Sequence, residues 1–235
     1  MSDLRVATVV PWRGGDIHRI RSWTFTRRWW ERFPWPMHIV EHEGSKPFNR
    51  SWCINEGARR AWPWDVLLVI DADVLEDDEQ QVYQAVELAA EKGVMVAGHT
   101  QGKDLSQRAT RKILQGEVFD WNRGVVKMRE RCLSRVNAIP VELFTDLGGY
   151  DERYRGWGWE DSSFIRAHEV LYGGILTVPG CSWHLWHPLA LTKAARTQDY
   201  QAGRALCNRY IEAVKGGPTA VRSILAERPR QWVAP

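Results

Sequence analysis

Short apolar blocks alternate along the first hundred residues with stretches of helical spacing, which predicts strands and helices in turn. Residues 5–10 (RVATVV) read as a strand, followed by a turn-rich loop, Pro11-Trp12-Arg13-Gly14-Gly15-Asp16. Ile17, Ile20, Trp23 and Trp30 then recur at helical spacing over residues 16–33, with Pro34 as the stop. A second short strand follows at residues 37–41. Strand, helix and strand in this order make a βαβ unit, so the sheet is expected to be parallel. The next helix runs through Ile54, Ala58 and Ala61 and is closed by Pro63. Residues 66–70 (VLLVI) are five consecutive apolar positions, the pattern of a strand buried on both faces. A helix over residues 77–92, ended by Gly93, and a strand at 94–97 complete what reads as a nucleotide-binding α/β half.

Beyond residue 98 the texture changes. Residues 99–136 are mixed and charged, and weak alternation over 118–128 predicts antiparallel strands. A short helix is expected at 140–147, a longer one from Glu160 through Phe164, Ile165 and His168, and a strand at 175–178. Residues 191–235 are helical in pattern, broken at Gly216-Gly217-Pro218. The expectation is one domain: a nucleotide-binding half over 1–98, a second half over 99–190, and a C-terminal helical segment over 191–235.

Composition narrows this picture in four ways. The 235 residues are 44% hydrophobic and 26% charged, an ordinary soluble globular balance. The net charge of +3, with acids interleaved among the bases, argues against a dedicated nucleic-acid binder and fits local recognition of a phosphorylated ligand. No apolar run reaches transmembrane length, and a strand begins almost at residue 1, so neither a membrane span nor a signal peptide is expected. Four cysteines (Cys53, Cys132, Cys181, Cys207), far apart and without a C-x-x-C pair, read as reduced thiols of a cytoplasmic protein. Fourteen tryptophans exceed what a core needs and offer flat apolar faces to sugar rings or bases.

Candidate chemistry gathers where elements end. Asp71 and Asp73 close the buried strand; at i, i+2 in an extended chain both point to one side, and strand carboxyl ends are where ligands sit in α/β sheets. Two acids there suit a hard divalent cation, or else simply end the strand and cap a turn, with Asp77 and Asp78 capping the next helix. A phosphate-binding G-x-x-x-x-G-K-[ST] loop is absent. Glu160 and Asp161 stand at a helix start, either as caps or as acids favoured by the helix dipole. His184 and His187 lie three apart in a tryptophan-rich stretch, as ligands or as packed core residues. One strand-end carboxylate with imidazole makes a mixed oxygen/nitrogen set suited to Mn²⁺ or a similar ion, leaving the second acid pair for general-base work.

These segments together resemble glycosyltransferases of the GT-A fold, and most closely the galactosyltransferase and polypeptide N-acetylgalactosaminyltransferase type. Pro11-Trp12-Arg13 resembles that group's P-F-R segment, which holds uridine. Phe48-Asn49-Arg50 with Asn55-Glu56-Gly57 resembles its F-N-R…N-x-G block. Asp71-Ala72-Asp73 stands at its D-x-D motif, and Trp157-Gly158-Trp159-Glu160-Asp161 resembles its W-G-G-E-D motif. His187, with His184 before it, resembles the late metal ligands. The matches fall in the same order over residues 5 to 190. The resemblance implies a GT-A domain, Rossmann-like in its first half with a mostly parallel central sheet. It implies transfer of a sugar from a UDP-sugar to a hydroxyl of a glycan, protein or small-molecule acceptor.

In that reading Pro11, Arg13, Phe48, Arg50, Asp71, Ala72 and Asp73 serve the donor, with Phe48 packed on the base. Mn²⁺ (or Mg²⁺) sits on Asp73 with His187 and His184. Asp161 is the base of an inverting transfer, Glu160 binds acceptor or orients the site, and Trp157, Gly158 and Trp159 line the acceptor pocket. The segment after His187, carrying Lys193 and Arg196, would close as a lid or else begin the C-terminal helix. Two departures stand out: Trp159 replaces the motif's second glycine, and Ser162 replaces a third acid. The transmembrane anchor and stem of Golgi members are not seen, so a bacterial or phage-encoded enzyme is expected. A sugar nucleotidyltransferase and a non-catalytic carbohydrate-binding module are the rival readings.

Overall fold

The computed structural model describes residues 4–42, 47–156, 158–188, 197–229 and 231–235. Strand β1 (Val6–Trp12) leads through helix α1 (Ile17–Trp30) into β2 (Met37–Glu41), and helix α2 (Arg50–Arg60) returns the chain to β3 (Val66–Ile70). Asp16 caps α1 by accepting from the His18 and Arg19 amides, and Asn49 caps α2 by accepting from Trp52. Then come β4 (Val74–Glu76), α3 (Glu79–Lys92) capped by Asp78, β5 (Val96–Ala97), β6 (Gln101–Leu105), α4 (Gln107–Leu114) and β7 (Val125–Arg129). The remainder is β8 (Val136–Pro140), α5 (Val141–Asp146), α6 (Glu160–Tyr172), β9 (Leu176–Thr177), β10 (Cys181–His184), α7 (Gln198–Lys215) and α8 (Gly217–Ala226).

The central sheet has six strands in the order β2-β1-β3-β8-β5-β9. Pairings β2–β1, β1–β3 and β5–β9 are parallel, as expected of βαβ units; only β8 runs against its neighbours. Strand β3 sits in the middle, and its run alternates between two cores. Leu67 and Val69 join Ile54, Ile139, Phe144 and Trp232 on one face, while Val66, Leu68 and Ile70 join Trp23, Trp30, Val82 and Val86 on the other. All five residues are fully buried. Many of the tryptophans are accounted for here: Trp23, Trp30, Trp64 and Trp232 are core.

The texture change after residue 98 corresponds to a second, four-stranded sheet, β4-β10-β6-β7. The antiparallel pair anticipated over 118–128 is β6 with β7, so it lies partly upstream of the expected place; residues 121–124 form a 3-10 turn instead. Helix α4 was not anticipated, because its apolar stripe is short and its surface arginine-rich.

Helix α2 lies close against β1, and Gly57 is the reason it can. A Cβ there would stand 2.5 and 2.9 Å from the methyls of Val9 and 3.2 Å from Val40. Two residues earlier Asn55 donates to the Tyr150 carbonyl and accepts from the Tyr150 amide, both at 2.8 Å, tying α2 to the loop before α6. Gly57→Ala should therefore lower stability by about 1–3 kcal/mol despite alanine's better helix propensity, measured as a shift in the urea midpoint.

Candidate active site

Strand β3 ends at Ile70 and the chain turns at once, with the Val74 amide donating to the Asp71 carbonyl. This turn corrects the expectation that Asp71 and Asp73 share one side of an extended strand end. Asp71 faces Arg50 and Asp73 faces two histidines, so the pair seeds two adjoining clusters. Both line one cleft of about 1560 Å³, bounded by the β1–α1 loop, Phe48, Arg50, the turn after β3, residues 131–135, the start of α6, and the loop after β10.

The first cluster is a trio. Asp73, His184 and His187 each offer a ligand atom, all within 4.8 Å of one another. Asp73 Oδ1 lies 3.6 Å from His184 Nε2, and Asp73 Oδ2 lies 3.2 Å from His187 Nε2. The spacing of the histidines is met in extended chain, not along a helical turn: His184 ends β10, and the Leu185 amide donates to the Asp73 carbonyl at 2.9 Å. His187 Nδ1 lies 3.0 Å from the Pro188 carbonyl, which can only accept, so Nδ1 carries the proton. In the neutral ring the Nε2 lone pair then faces a carboxylate oxygen, an arrangement that needs a proton or a metal cation between them. The donor set thus fits a divalent ion with mixed oxygen and nitrogen preference. Burial alone would raise Asp73, but His184 and His187 overcome it and hold its carboxyl well below the usual range. Sequence reasoning missed Asp104 on β6, whose carboxylate stands 3.8 Å from His184 Nδ1 on the far side of the ring. It also missed Arg135, which pairs with Asp104 and whose carbonyl accepts from the Asp71 amide. Their only sequence signal is a charged pair in a polar strand and a basic residue before an apolar one.

The second cluster is ionic. The Arg50 guanidinium donates to Asp71 Oδ1 at 2.8 Å and to Asp161 Oδ1 at 2.6 Å, with Glu160 at 3.8 Å. Arg50 was expected at the nucleotide; its hydrogen bonds go to the acids, although it also lines the cleft. Glu160 and Asp161 open α6, whose cap residue Trp159 makes no side-chain capping bond. Gly156, Gly158 and Trp159 take φ of 82°, 89° and 81°. Trp159, which stands where the motif has its second glycine, thus takes a left-handed conformation at a cost of order 1 kcal/mol. Trp159 and Gly158 line the cleft; Trp157 and residues 189–196, with the expected lid, lie outside the described residues. Stacking of Phe164 on Tyr150, with ring centroids 4.2 Å apart, fixes α6 to the core.

Three carboxylates around one guanidinium leave excess negative charge. Burial, then the Asp161 charge, push the Glu160 carboxyl up to about 7 against the opposing pull of Arg50. Asp161 is raised as well, first by burial and then by Asp71, with Arg50 again opposing. A folded-state pKa above the unfolded value of about 4.5 means that the stabilising contribution is full below pH 4.5 and lost as pH rises through 7. Glu160→Gln should accordingly raise stability by about 1–3 kcal/mol at pH 8 in EDTA, and the gain should shrink toward pH 5. Melting curves at the two pH values check this.

Comparison with known proteins converges on this region. The family model described as the N-terminal domain of galactosyltransferase matches residues 124–170, from β7 through α6. The β-1,4-galactosyltransferase 4 of Rattus norvegicus is 23% identical over 164 residues, 67% of this chain; the chain spans only 40% of that relative's length. Among solved structures, glucosyl-3-phosphoglycerate synthase from Mycobacterium tuberculosis in complex with Mn²⁺ and UDP-glucose superposes with a TM-score of 0.54 at 12% identity, over 92% of this chain and 81% of that one. GalNAc-T7 with UDP, GalNAc and Mn²⁺ gives 0.53 at 11% identity, over 95% and 49%. The six-stranded, mostly parallel central sheet is thus the core of a GT-A fold, and part of the chain is similar in sequence to galactosyltransferases.

Proposed function

We propose that the protein is a metal-dependent glycosyltransferase that moves a sugar from a UDP-sugar to an acceptor hydroxyl. The observation that carries this reading is the adjacency, in one cleft, of the Asp73–His184–His187 trio and the Arg50-bridged Asp71, Glu160 and Asp161. In this reading Asp71-Ala72-Asp73 acts as the D-x-D motif. Asp73, His187 and His184 would hold Mn²⁺ or Mg²⁺, which when bound neutralises charge on the diphosphate leaving group.

The chain's own groups do the rest. Pro11, Arg13 and Phe48 border the cleft where the nucleotide would lie, and Arg19, on the first turn of α1, adds a further cation beside the trio. Asp161 takes the proton from the acceptor hydroxyl as its oxygen forms the new bond to the anomeric carbon, opposite the departing UDP, so the anomeric centre inverts. Arg50 holds the Asp161 carboxylate in place and links it to Asp71 on the donor side. Glu160, with its carboxyl raised to about 7, is suited to donate a hydrogen bond to the acceptor. Trp159 and Trp12 give the cleft apolar faces for rings.

The four unpaired thiols support a cytoplasmic setting. Among the described residues no helix is long and apolar enough to cross a membrane. The mild net charge of +3, with acids interleaved among the bases, supports a small-molecule, glycan or protein acceptor over nucleic acid. Calorimetric titration with UDP tests the donor side of the reading. Binding should tighten by at least ~10-fold when Mn²⁺ is present, and equal affinity with Mn²⁺ and with EDTA would remove the metal from the account.

A further inference from the structure

Besides Arg50, positive charge in the cleft comes in two groups carried by different elements. Arg13 and Arg19 belong to the β1–α1 region, with Arg19 close enough to act on Asp73 and His187. The other group is Arg129, Arg131, Arg135 and Arg166, contributed by β7, the loop to β8, and α6. In it four guanidiniums face two carboxylates. Arg129 and Arg135 share Asp104, and Arg131 meets Glu169 at 2.6 Å. Arg166 donates to the Ser162 carbonyl at 3.0 Å, and among the described residues no carboxylate pairs with it. Its position adds to the case: Asp161 and Arg166 both border the cleft from successive turns of α6, about 7–8 Å apart along the helix axis.

Resting on the transferase reading above, we propose that the acceptor carries an anionic group, phosphoryl or carboxylate, seated on Arg166 and Arg131, with its reacting hydroxyl at Asp161. A neutral acceptor gives Arg166 no counter-charge. A forked guanidinium at a half-buried wall is the side chain that recognises such oxygens bidentately. Arg131 is already turned toward this wall by Glu169 and can share its fork between that carboxylate and the ligand. Both side chains border the same cleft, so one acceptor can present its hydroxyl to Asp161 and its anionic group to Arg166.

The test uses ¹⁵N-labelled protein loaded with UDP and Mg²⁺, so that the donor side is filled, and follows the arginine side-chain signals. One arm is titrated with inorganic phosphate and the other with acetate, which separates the phosphoryl from the carboxylate source. Saturable shifts are expected at Arg166 and Arg131 in at least one arm, with Arg27, paired to Glu31 on the exposed face of α1, unmoved. Arg166→Ala should weaken that binding by ~10-fold. Linear shifts of equal size at Arg27 and Arg166, or saturable binding that survives Arg166→Ala unchanged, would overturn the proposal. Absence of any response to UDP would instead sink the transferase reading, and the same titration on the free protein would still decide whether the anion seat exists.

Discussion

Asp161→Asn is expected to lower kcat by ~10²–10⁴ while leaving UDP-sugar binding within about twofold of the parent enzyme. Asparagine keeps an oxygen that can accept from the Arg50 guanidinium, and Arg50 retains its bond to Asp71. The helix start also survives, because Asp161 caps nothing: Trp159 is the cap residue and its side chain makes no capping bond. What the substitution removes is the ability to take a proton. A loss confined to kcat would assign Asp161 to the chemical step. Near-full turnover would leave Asp161 as a structural partner of Arg50 and move the base to Glu160, whose raised carboxyl would then give an activity profile climbing through about pH 7.

The second large effect is expected at Asp73. Asp73→Asn keeps the shape of the turn after β3, and the backbone bond from Leu185 to the residue 73 carbonyl is untouched. It removes the only carboxylate of the trio. Mn²⁺-dependent UDP binding should weaken by at least ~100-fold, more than outer-sphere changes typically cause. The melting temperature in EDTA should fall near neutral pH, since the two histidines hold the Asp73 carboxyl below its usual range and that stabilising contribution is lost with the charge. Unchanged UDP affinity in Mn²⁺ would show that the ion sits elsewhere.

How much of this was legible in the sequence depended on whether burial or pairing set the pattern. The run 66–70 announced a central strand because both its faces are core, and the helices were marked at their ends by Pro34, Pro63 and Gly93. Strand β6, by contrast, reads Gln-Gly-Lys-Asp-Leu: only Gly102 and Leu105 are buried, so neither alternation nor a continuous run appears. Strand β8 was hidden because it runs against its neighbours and follows a left-handed Arg135, features that pairing imposes and periodicity does not record. The site residues Asp71, Asp73, Glu160, Asp161, His184 and His187 were nameable because element ends carry chemistry. The split of Asp71 from Asp73 was not, since it follows from a single tight turn. Arg50 in its bridging role was equally invisible: nothing local distinguishes an arginine that meets phosphate from one that meets three acids.

The most direct measurement of the central claim is UDP release from a panel of UDP-sugars by the whole chain in Mn²⁺, run beside EDTA-treated protein and Asp73→Asn. At least one UDP-sugar should give steady UDP release that EDTA abolishes, added Mn²⁺ restores, and Asp73→Asn reduces by at least ~100-fold. Release that proceeds equally in EDTA, or no release from any UDP-sugar by protein that is folded and binds Mn²⁺, would contradict a metal-dependent sugar transfer at this cleft.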